Sequence, residues 1–359
     1  MTYKAYYVDS TRSQAYQYIN RLNGVAGFEV SYLAPPSDLR QGLDSSSPQL
    51  FLIDWEPNGR QNALRRGYHG GMLAQWLREE FEHTPIILAS RNGKSKHWRR
   101  VNPYLFDAEV SPDEMIEKPE SVVAKCVNLI TSYQKLVQAE KTWSGLMDAL
   151  GVESEDEQEQ IAEATPPLLK QNGNTTWLLS EITAWVQEVL LAYPGILYDP
   201  LHAASYLGID VVEFLQPDVQ EAIKDARYTG VLAPPEGRWW KDRLVSAALD
   251  VMVDAGMSGI LLHRSFPEAF AQVHDCPLQL SECVYSKKKP APRVCYVLKK
   301  PVRIEYSLVY QPDSRPTVMD DARVSFTAIR TSDQVFDEYF PPSSRHLVDE
   351  VRNRGENEL

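Results

Sequence analysis

The chain has 359 residues, which is long for a single hydrophobic core, so its length predicts two domains. Hydrophobic residues make up 43% of it, which excludes a chain that is disordered throughout, and its net charge of −12 opposes broad binding to nucleic acid. No apolar run reaches the roughly 18 residues of a membrane helix, no signal peptide is evident, and the four cysteines form no disulfide pattern, so we expect a soluble cytoplasmic protein.

Strands and helices alternate along the first part of the chain. Short apolar runs predict strands at 3–8, 28–33, 50–53, 85–89 and 114–117. Apolar residues at helical spacing predict helices at 12–22, 71–81 and 121–137. Such alternation is typical of a doubly wound parallel sheet that is covered by helices on both faces. We therefore predict an α/β domain over residues 1–140.

The second part of the chain has a different order of elements. Residues 151–163 contain six acids and no base, so residues 141–174 are interpreted as an acidic linker with a short helix. Helices are predicted at 177–192, 201–207, 211–223 and 244–257, and strands at 294–298, 303–310 and 323–329. Helices that precede strands in this way predict a separate α+β domain over residues 175–359.

Three polar residues stand where predicted strands of the first domain end. Asp54 follows one apolar run, Ser90 closes the next, and Lys118 with Pro119 follows the last. Ligands of open parallel sheets bind just outside the carboxyl ends of the strands. An acid, a hydroxyl and an ammonium at that edge predict a site for a phosphoryl group.

Five segments carry a resemblance to a known family. They are Tyr6-Tyr7-Val8-Asp9, Leu52-Ile53-Asp54-Trp55, Gly71 to Arg78, Pro85 to Ser90, and Lys118-Pro119. In this order they resemble a response-regulator receiver domain, the flavodoxin-like fold of two-component signalling. The resemblance covers residues 1–140 and does not extend to the second domain, which resembles no output module.

The resemblance implies a set of roles for these residues. Asp54 would be the phospho-acceptor, with a partner histidine kinase as the phosphoryl donor. Asp9, Asp54 and the backbone carbonyl of Glu56 would bind Mg²⁺, which prefers one or two carboxylates and water. Lys118 would pair with the phosphoryl oxygens, and Ser90 would hydrogen-bond one of them. Beyond this self-phosphorylation and dephosphorylation, no enzyme activity is predicted.

One departure keeps a second hypothesis open. The family has two adjacent acids where this chain has Asp9 and Ser10. The alternative is a degenerate receiver that serves as a non-phosphorylated adaptor in a multi-protein system, antiviral defence among them. In a third hypothesis the receiver gates an enzyme in the second domain.

Residues 91–100 contain five bases with Trp98 and directly follow Ser90. The face from Ser90 to Arg100 is a candidate docking surface for a protein partner, a small RNA-binding patch, or a solvated loop. The second domain is an alternative docking surface, and a homodimer is left open.

Two sets of residues in the second domain allow a functional and a structural interpretation. His274, Cys276, Cys283 and Cys295 are of the types that bind zinc, but their spacing is irregular, and buried thiols are the alternative. The charged segment 311–323 could bind a phosphorylated or metal-bearing ligand, or be a polar hairpin loop.

Overall fold

The computed structural model describes residues 2–9, 11–34, 48–54, 70–90, 102, 104–139, 142–167, 178–258, 261–312 and 316–353. The chain folds into two compact units. The first unit consists of Met1–Val152, Pro166–Gln187 and Gly230–Leu232, and the second of Glu153–Thr165, Glu188–Thr229 and Ala233–Leu359.

The first unit is built on a parallel sheet of five strands. They are β1 (Tyr3–Val8), β2 (Phe28–Leu33), β3 (Leu50–Asp54), β4 (Ile86–Ala89) and β5 (Ala108–Val110). Their order across the sheet is β2-β1-β3-β4-β5, and every neighbouring pair is parallel. This is the strand order of flavodoxin-like doubly wound folds, so the predicted receiver-like fold is confirmed.

Helices accompany this sheet in the order that the sequence indicated. Those of the first unit are Arg12–Asn23, Gly70–Glu80, Pro112–Glu117, Pro119–Gln138, Trp143–Leu150 and Leu179–Trp185. Leu73 and Leu77 of the second of them pack with Phe51 and Ile53 of β3 in one buried cluster. The helix Leu179–Trp185, which the sequence analysis assigned to the second domain, belongs to the first unit.

The predicted fifth strand at 114–117 is wrong. Those residues belong to the helix Pro112–Glu117, and the strand is the preceding Ala108–Val110. The side chain of Ser111 accepts a hydrogen bond from the Glu114 N–H, while the Glu114 carboxylate accepts one from the Ser111 N–H. This capping box, with Pro112 at the first helical position, starts a helix where the apolar pair Met115-Ile116 suggested a strand.

The second unit combines helices with short antiparallel strands, as predicted; two of the strands lie among the helices, and two helices follow the last strand. Residues 326–329, which were predicted as the end of a strand, belong to the helix Phe326–Thr331. Its longest helices are Glu155–Ala164, Pro200–Leu207, Lys241–Asp254, Leu262–His274 and Arg345–Asn353. Its strands are β6 (Leu197–Tyr198), β7 (Trp239–Trp240), β8 (Arg293–Val294), β9 (Pro301–Val302), β10 (Ser307–Tyr310) and β11 (Ala322–Ser325), paired as β6-β7, β8-β9 and β10-β11. In the described ranges, no helix combines the length and apolarity that crossing a membrane requires.

The acidic segment that was predicted as a linker contains the helix Glu155–Ala164 of the second unit. Its first turn holds three acids, which the positive end of a helix dipole favours. Glu157 is buried, and its carboxylate accepts hydrogen bonds from the Arg243 guanidinium at 2.6 and 2.8 Å. Burial alone would raise the pKa of Glu157, but these bonds outweigh it and lower the pKa.

Candidate functional site

The two predicted metal-binding carboxylates lie side by side at the carboxyl edge of the parallel sheet. Asp9 directly follows β1, and Asp54 ends β3. Val8 and Ile53 are register partners, and Asp9 and Asp54 are the residues that follow them on neighbouring strands about 4.8 Å apart. The crevice between β1 and β3 is the switch point at which flavodoxin-like folds bind their ligands.

The surroundings of the two carboxylates differ. Asp9 is only 3% exposed, and its Oδ1 accepts a hydrogen bond of 2.8 Å from the backbone N–H of Thr11. Its own N–H donates to the Leu33 carbonyl of β2, which holds the chain at the end of the strand. Asp54 is half-buried. One acid is therefore fixed below the surface and its neighbour is reachable from solvent.

Two hydroxyls lie one residue further along the same edge. Asp54 is the register partner of Ala89, which in turn pairs with Val110. Ser90 and Ser111, the residues that follow, are therefore neighbours, and the Ser90 N–H donates to the Val110 carbonyl at 3.1 Å. Ser90 is buried, as expected of a residue at the end of an internal strand.

The structure does not place Lys118 at the end of a strand. This residue lies between the helices Pro112–Glu117 and Pro119–Gln138, with its side chain exposed. The position directly after the last strand, where the resemblance requires the lysine, holds Ser111 followed by Pro112. The signal that could have shown this is Ser111-Pro112-Asp113-Glu114, a capping-box sequence with a proline at the helix start.

A buried polar cluster that the sequence did not reveal lies near the opposite edge of the same sheet. Asp107 immediately precedes β5, and its carboxylate accepts hydrogen bonds from Arg78 Nη2 at 2.5 Å and from the Ile86 N–H at 2.7 Å. The Tyr133 hydroxyl and the Thr183 hydroxyl donate to its other oxygen at 2.6 and 3.0 Å. Burial alone would lower the pKa of Arg78, but attraction to Asp107 outweighs it and raises the pKa.

Three of the sequence predictions concern residues outside the described ranges. They are the carbonyl of Glu56, the neutral neighbour Ser10, and the basic segment 91–100. The proposed docking face from Ser90 to Arg100 is therefore described only at Ser90.

The four candidate zinc ligands lie in different parts of the second unit and do not form one cluster. Cys283 and Cys295 are buried in one hydrophobic cluster, and Cys276 packs against another. His274 stacks on Phe270 with ring centroids 4.2 Å apart. Among the described residues, no three side chains of His, Cys, Asp or Glu converge as a metal site.

No family model matches the chain, and no curated protein matches it. Among solved structures it is similar to an adenylate cyclase from Rhodopirellula baltica (16% identity over 38% of this chain and 98% of that chain, TM-score 0.30). The non-phosphorylated receiver domain of the stress response regulator RcsB from Escherichia coli is similar too (15% identity, 34% and 92%, TM-score 0.29). NtrX from Brucella abortus in complex with ATP is a third (10%, 80% and 68%, TM-score 0.34). The fold assignment rests on the strand order of this chain.

Proposed function

We propose that the first unit is a receiver-like signalling domain that accepts a phosphoryl group on Asp54 from a partner histidine kinase. The observation that carries the proposal is that Asp9 and Asp54 directly follow the register partners Val8 and Ile53 at the switch point of the sheet. An aspartate carboxylate can attack a phosphoryl donor and form an acyl phosphate. Because Asp54 is the more accessible of the two acids, it is the acceptor, and the buried Asp9 acts beside it.

A divalent cation fits this donor set. Mg²⁺ is bound through one or two carboxylates, with water completing its shell, and Asp9 and Asp54 supply two adjacent carboxylates. When bound, the ion would neutralise charge on the phosphoryl oxygens. Thr11 holds Asp9 in place through its backbone N–H, so this ligand is positioned before the ion arrives. The hydroxyl of Ser90 is the donor that would bind a phosphoryl oxygen after transfer.

The experiment is incubation with acetyl phosphate and Mg²⁺, followed by intact-mass and peptide mass spectrometry. We expect one added phosphoryl group on Asp54, and none on the Asp54→Asn variant. Asp113→Asn, an exposed aspartate of the helix Pro112–Glu117, is the matched control and should be modified like the parent. A protein that stays unmodified with acetyl phosphate, with beryllofluoride and with a cognate kinase would refute the proposal.

The second candidate function is a receiver-like adaptor that is not phosphorylated. The observation in its favour is that Ser111, not a lysine, follows β5. Phosphoryl transfer depends mainly on positioning and on positive charge around the transferring oxygens, so loss of a cation slows it. Without modification, the domain would serve partners only through its surface.

Two variants separate the candidates. Ser111→Lys places an ammonium directly after β5, and we expect it to speed modification of Asp54 by acetyl phosphate. It also removes a helix cap, at a cost of about 0.5–2 kcal/mol, so a melting curve must accompany the rate. Lys118→Gln should leave the rate unchanged because its side chain is exposed between two helices. If neither the parent nor Ser111→Lys is modified while both are folded, the adaptor is the better conclusion.

A further inference from the structure

The second unit contains a cavity of about 300 Å³ that the proposed function does not use. Its walls come from the segment between residues 192 and 206 and from the ends of the β8-β9 and β10-β11 pairs. This volume is at the lower end of the range for small-molecule sites, so the cavity suits a small metabolite.

Backbone contacts fix the walls of this cavity. The Asp320 N–H donates to the Pro194 carbonyl at 2.9 Å, and the Tyr296 N–H donates to the Arg323 carbonyl at 2.7 Å. A Cβ on Gly195 would lie 2.6 Å from the Cα of Met319, so only glycine permits this close approach. The segment after β10 is thereby held against the chain that precedes β6.

Two guanidiniums provide the positive side of the cavity. Arg323 donates to the hydroxyl and the carbonyl of Ser307 at 2.9 and 3.1 Å, and no described carboxylate lies within ion-pair distance of it. Arg293 donates no hydrogen bond to any described residue, and its ion pair with Asp320 is long, 3.9 Å. Burial and the proximity of Arg293 lower the pKa of Arg323. Some N–H groups of these two guanidiniums bind no acceptor in the part of the chain that the structure describes. Because both groups are positively charged, they favour an anion as their partner.

Of the three described carboxylates that line the cavity, Asp320 and Asp199 have partners in the protein, and Asp321 is exposed. Asp320 pairs with Lys241 at 2.8 Å and accepts a hydrogen bond from the Tyr198 hydroxyl at 2.5 Å. Asp199 accepts from His202 at 2.9 Å. Carboxylates next to the guanidiniums repel a polyanion such as nucleic acid, but they accept hydrogen bonds from hydroxyl groups. The lining therefore suits a ligand that has one compact anionic group and several hydroxyls.

We propose that this cavity binds a phosphate monoester of a sugar, either free or as part of a nucleotide. The phosphate lies between Arg293 and Arg323, whose planar guanidiniums match its oxygens. The sugar hydroxyls donate to Asp320 and Asp321, and the ring of Tyr206 lies alongside. Both sources share the sugar phosphate, and only a nucleotide adds a base.

Isothermal titration of the full chain with ribose 5-phosphate, a nucleoside 5′-monophosphate and inorganic phosphate tests the proposal. We expect at least one of the two esters to bind with Kd below about 1 mM and at least about tenfold more tightly than inorganic phosphate. Tighter binding of the nucleotide would show that the cavity also contacts the base. Equal affinity for the two esters would show that it recognises only the sugar phosphate. Failure of both esters to bind, or equal binding of inorganic phosphate, would overturn the proposal.

Variants tie the binding to the cavity. Arg293→Gln should weaken ester binding at least about tenfold, because a charge-assisted contact is lost while the protein loses no hydrogen bond. Arg352→Gln, which removes a guanidinium paired with Asp337 elsewhere in the unit, is the matched control and should bind like the parent. Asp54→Asn should also bind like the parent, which separates this site from the phospho-acceptor. Unchanged binding by Arg293→Gln would refute the assignment.

Discussion

The parallel sheet carries buried carboxylates at both of its edges, and they have different surroundings. Near the amino end of β5, Asp107 receives four hydrogen bonds from protein groups. At the carboxyl ends of β1 and β3, Asp9 and Asp54 follow the register partners Val8 and Ile53 on neighbouring strands. Removing a carboxylate that is enclosed by donors destabilises a protein because the donors lose their partner, whereas adjacent carboxylates repel each other and attract a cation.

This contrast places a structural role at one edge of the sheet and the proposed functional role at the other. The amino-edge carboxylate joins Arg78 of one helix, Tyr133 of a second and Thr183 of a third. It thereby holds three helices around the end of β5. The carboxyl-edge pair lies where doubly wound sheets bind ligands, and the cation of the proposed function would offset repulsion between its charges.

The largest effect is expected at the amino edge. Asp107→Ala removes the acceptor of four hydrogen bonds and leaves the half-buried Arg78 without its carboxylate. Breaking a buried pair from one side costs about 3–5 kcal/mol, which urea unfolding followed by circular dichroism would measure. Asp113→Ala, at an exposed aspartate, is the control and should change stability by less than about 0.5 kcal/mol. A similar small effect for Asp107→Ala would show that the cluster does not stabilise the fold.

An intermediate effect on stability is expected at Glu157 of the second unit, whose carboxylate accepts three hydrogen bonds where that of Asp107 accepts four. The Glu157 carboxylate accepts two bonds from Arg243 and one from the Glu153 N–H. Glu157→Gln replaces charge-assisted bonds with neutral ones, and we expect a loss of about 1.5–3 kcal/mol in the free energy of unfolding. Glu155→Gln, on the exposed side of the same helix, is the matched control. Equal effects of the two variants would contradict a role for the Arg243 pair.

The sequence predicted four of the five strands because three of them contain a run of four apolar residues, as in 50–53, and β2 alternates apolar with polar residues along 28–31. The fifth, Ala108–Val110, has three residues with a glutamate at its centre, and the apolar pair after it belongs to a helix. Asp9, Asp54 and Ser90 lie at the ends of strands, as the sequence predicted. Lys118 does not, because the fifth strand was predicted at 114–117 and lies at Ala108–Val110.

Contacts between residues that are far apart along the chain cannot be recognised from a local sequence pattern. Asp107 binds Arg78 from 29 positions away and Thr183 from 76 positions away, and no local pattern records either contact. The cavity of the second unit likewise brings together residues near 200, 293 and 320. In the charged segment 311–323 the sequence left a ligand site and a polar hairpin loop open. The hairpin is present as β10 and β11, and its Asp320 lines the cavity.

A small effect of opposite sign is expected at the carboxyl edge. Asp54→Asn relieves the repulsion between two carboxylates on neighbouring strands, so the protein without Mg²⁺ should become more stable by about 0.2–1 kcal/mol. Mg²⁺ should stabilise the parent and leave the variant nearly unchanged, because a ligand that binds only the folded state raises stability. Thermal melts of both proteins with Mg²⁺ and with a chelator would measure this. Destabilisation by Asp54→Asn in the chelator would show that Asp54 resembles Asp107 and has a structural role.

The smallest effect concerns the pH dependence of the second unit. Burial alone would raise the pKa of Asp199, but hydrogen bonds from His202 outweigh it and lower the pKa to about 2. The folded-state pKa thus lies below the unfolded value of about 3.9, so this contribution is present above pH 4 and is lost as the pH falls from 4 towards 2. Asp199→Asn keeps the helix cap, since asparagine also caps helices, and removes only the charge. Its unfolding free energy should therefore fall less steeply than that of the parent over this range.

Because the Asp199 side chain is 36% exposed, solvent screens its charge and the difference is small. Identical slopes for the parent and Asp199→Asn would show that the interaction with His202 does not contribute to acid stability.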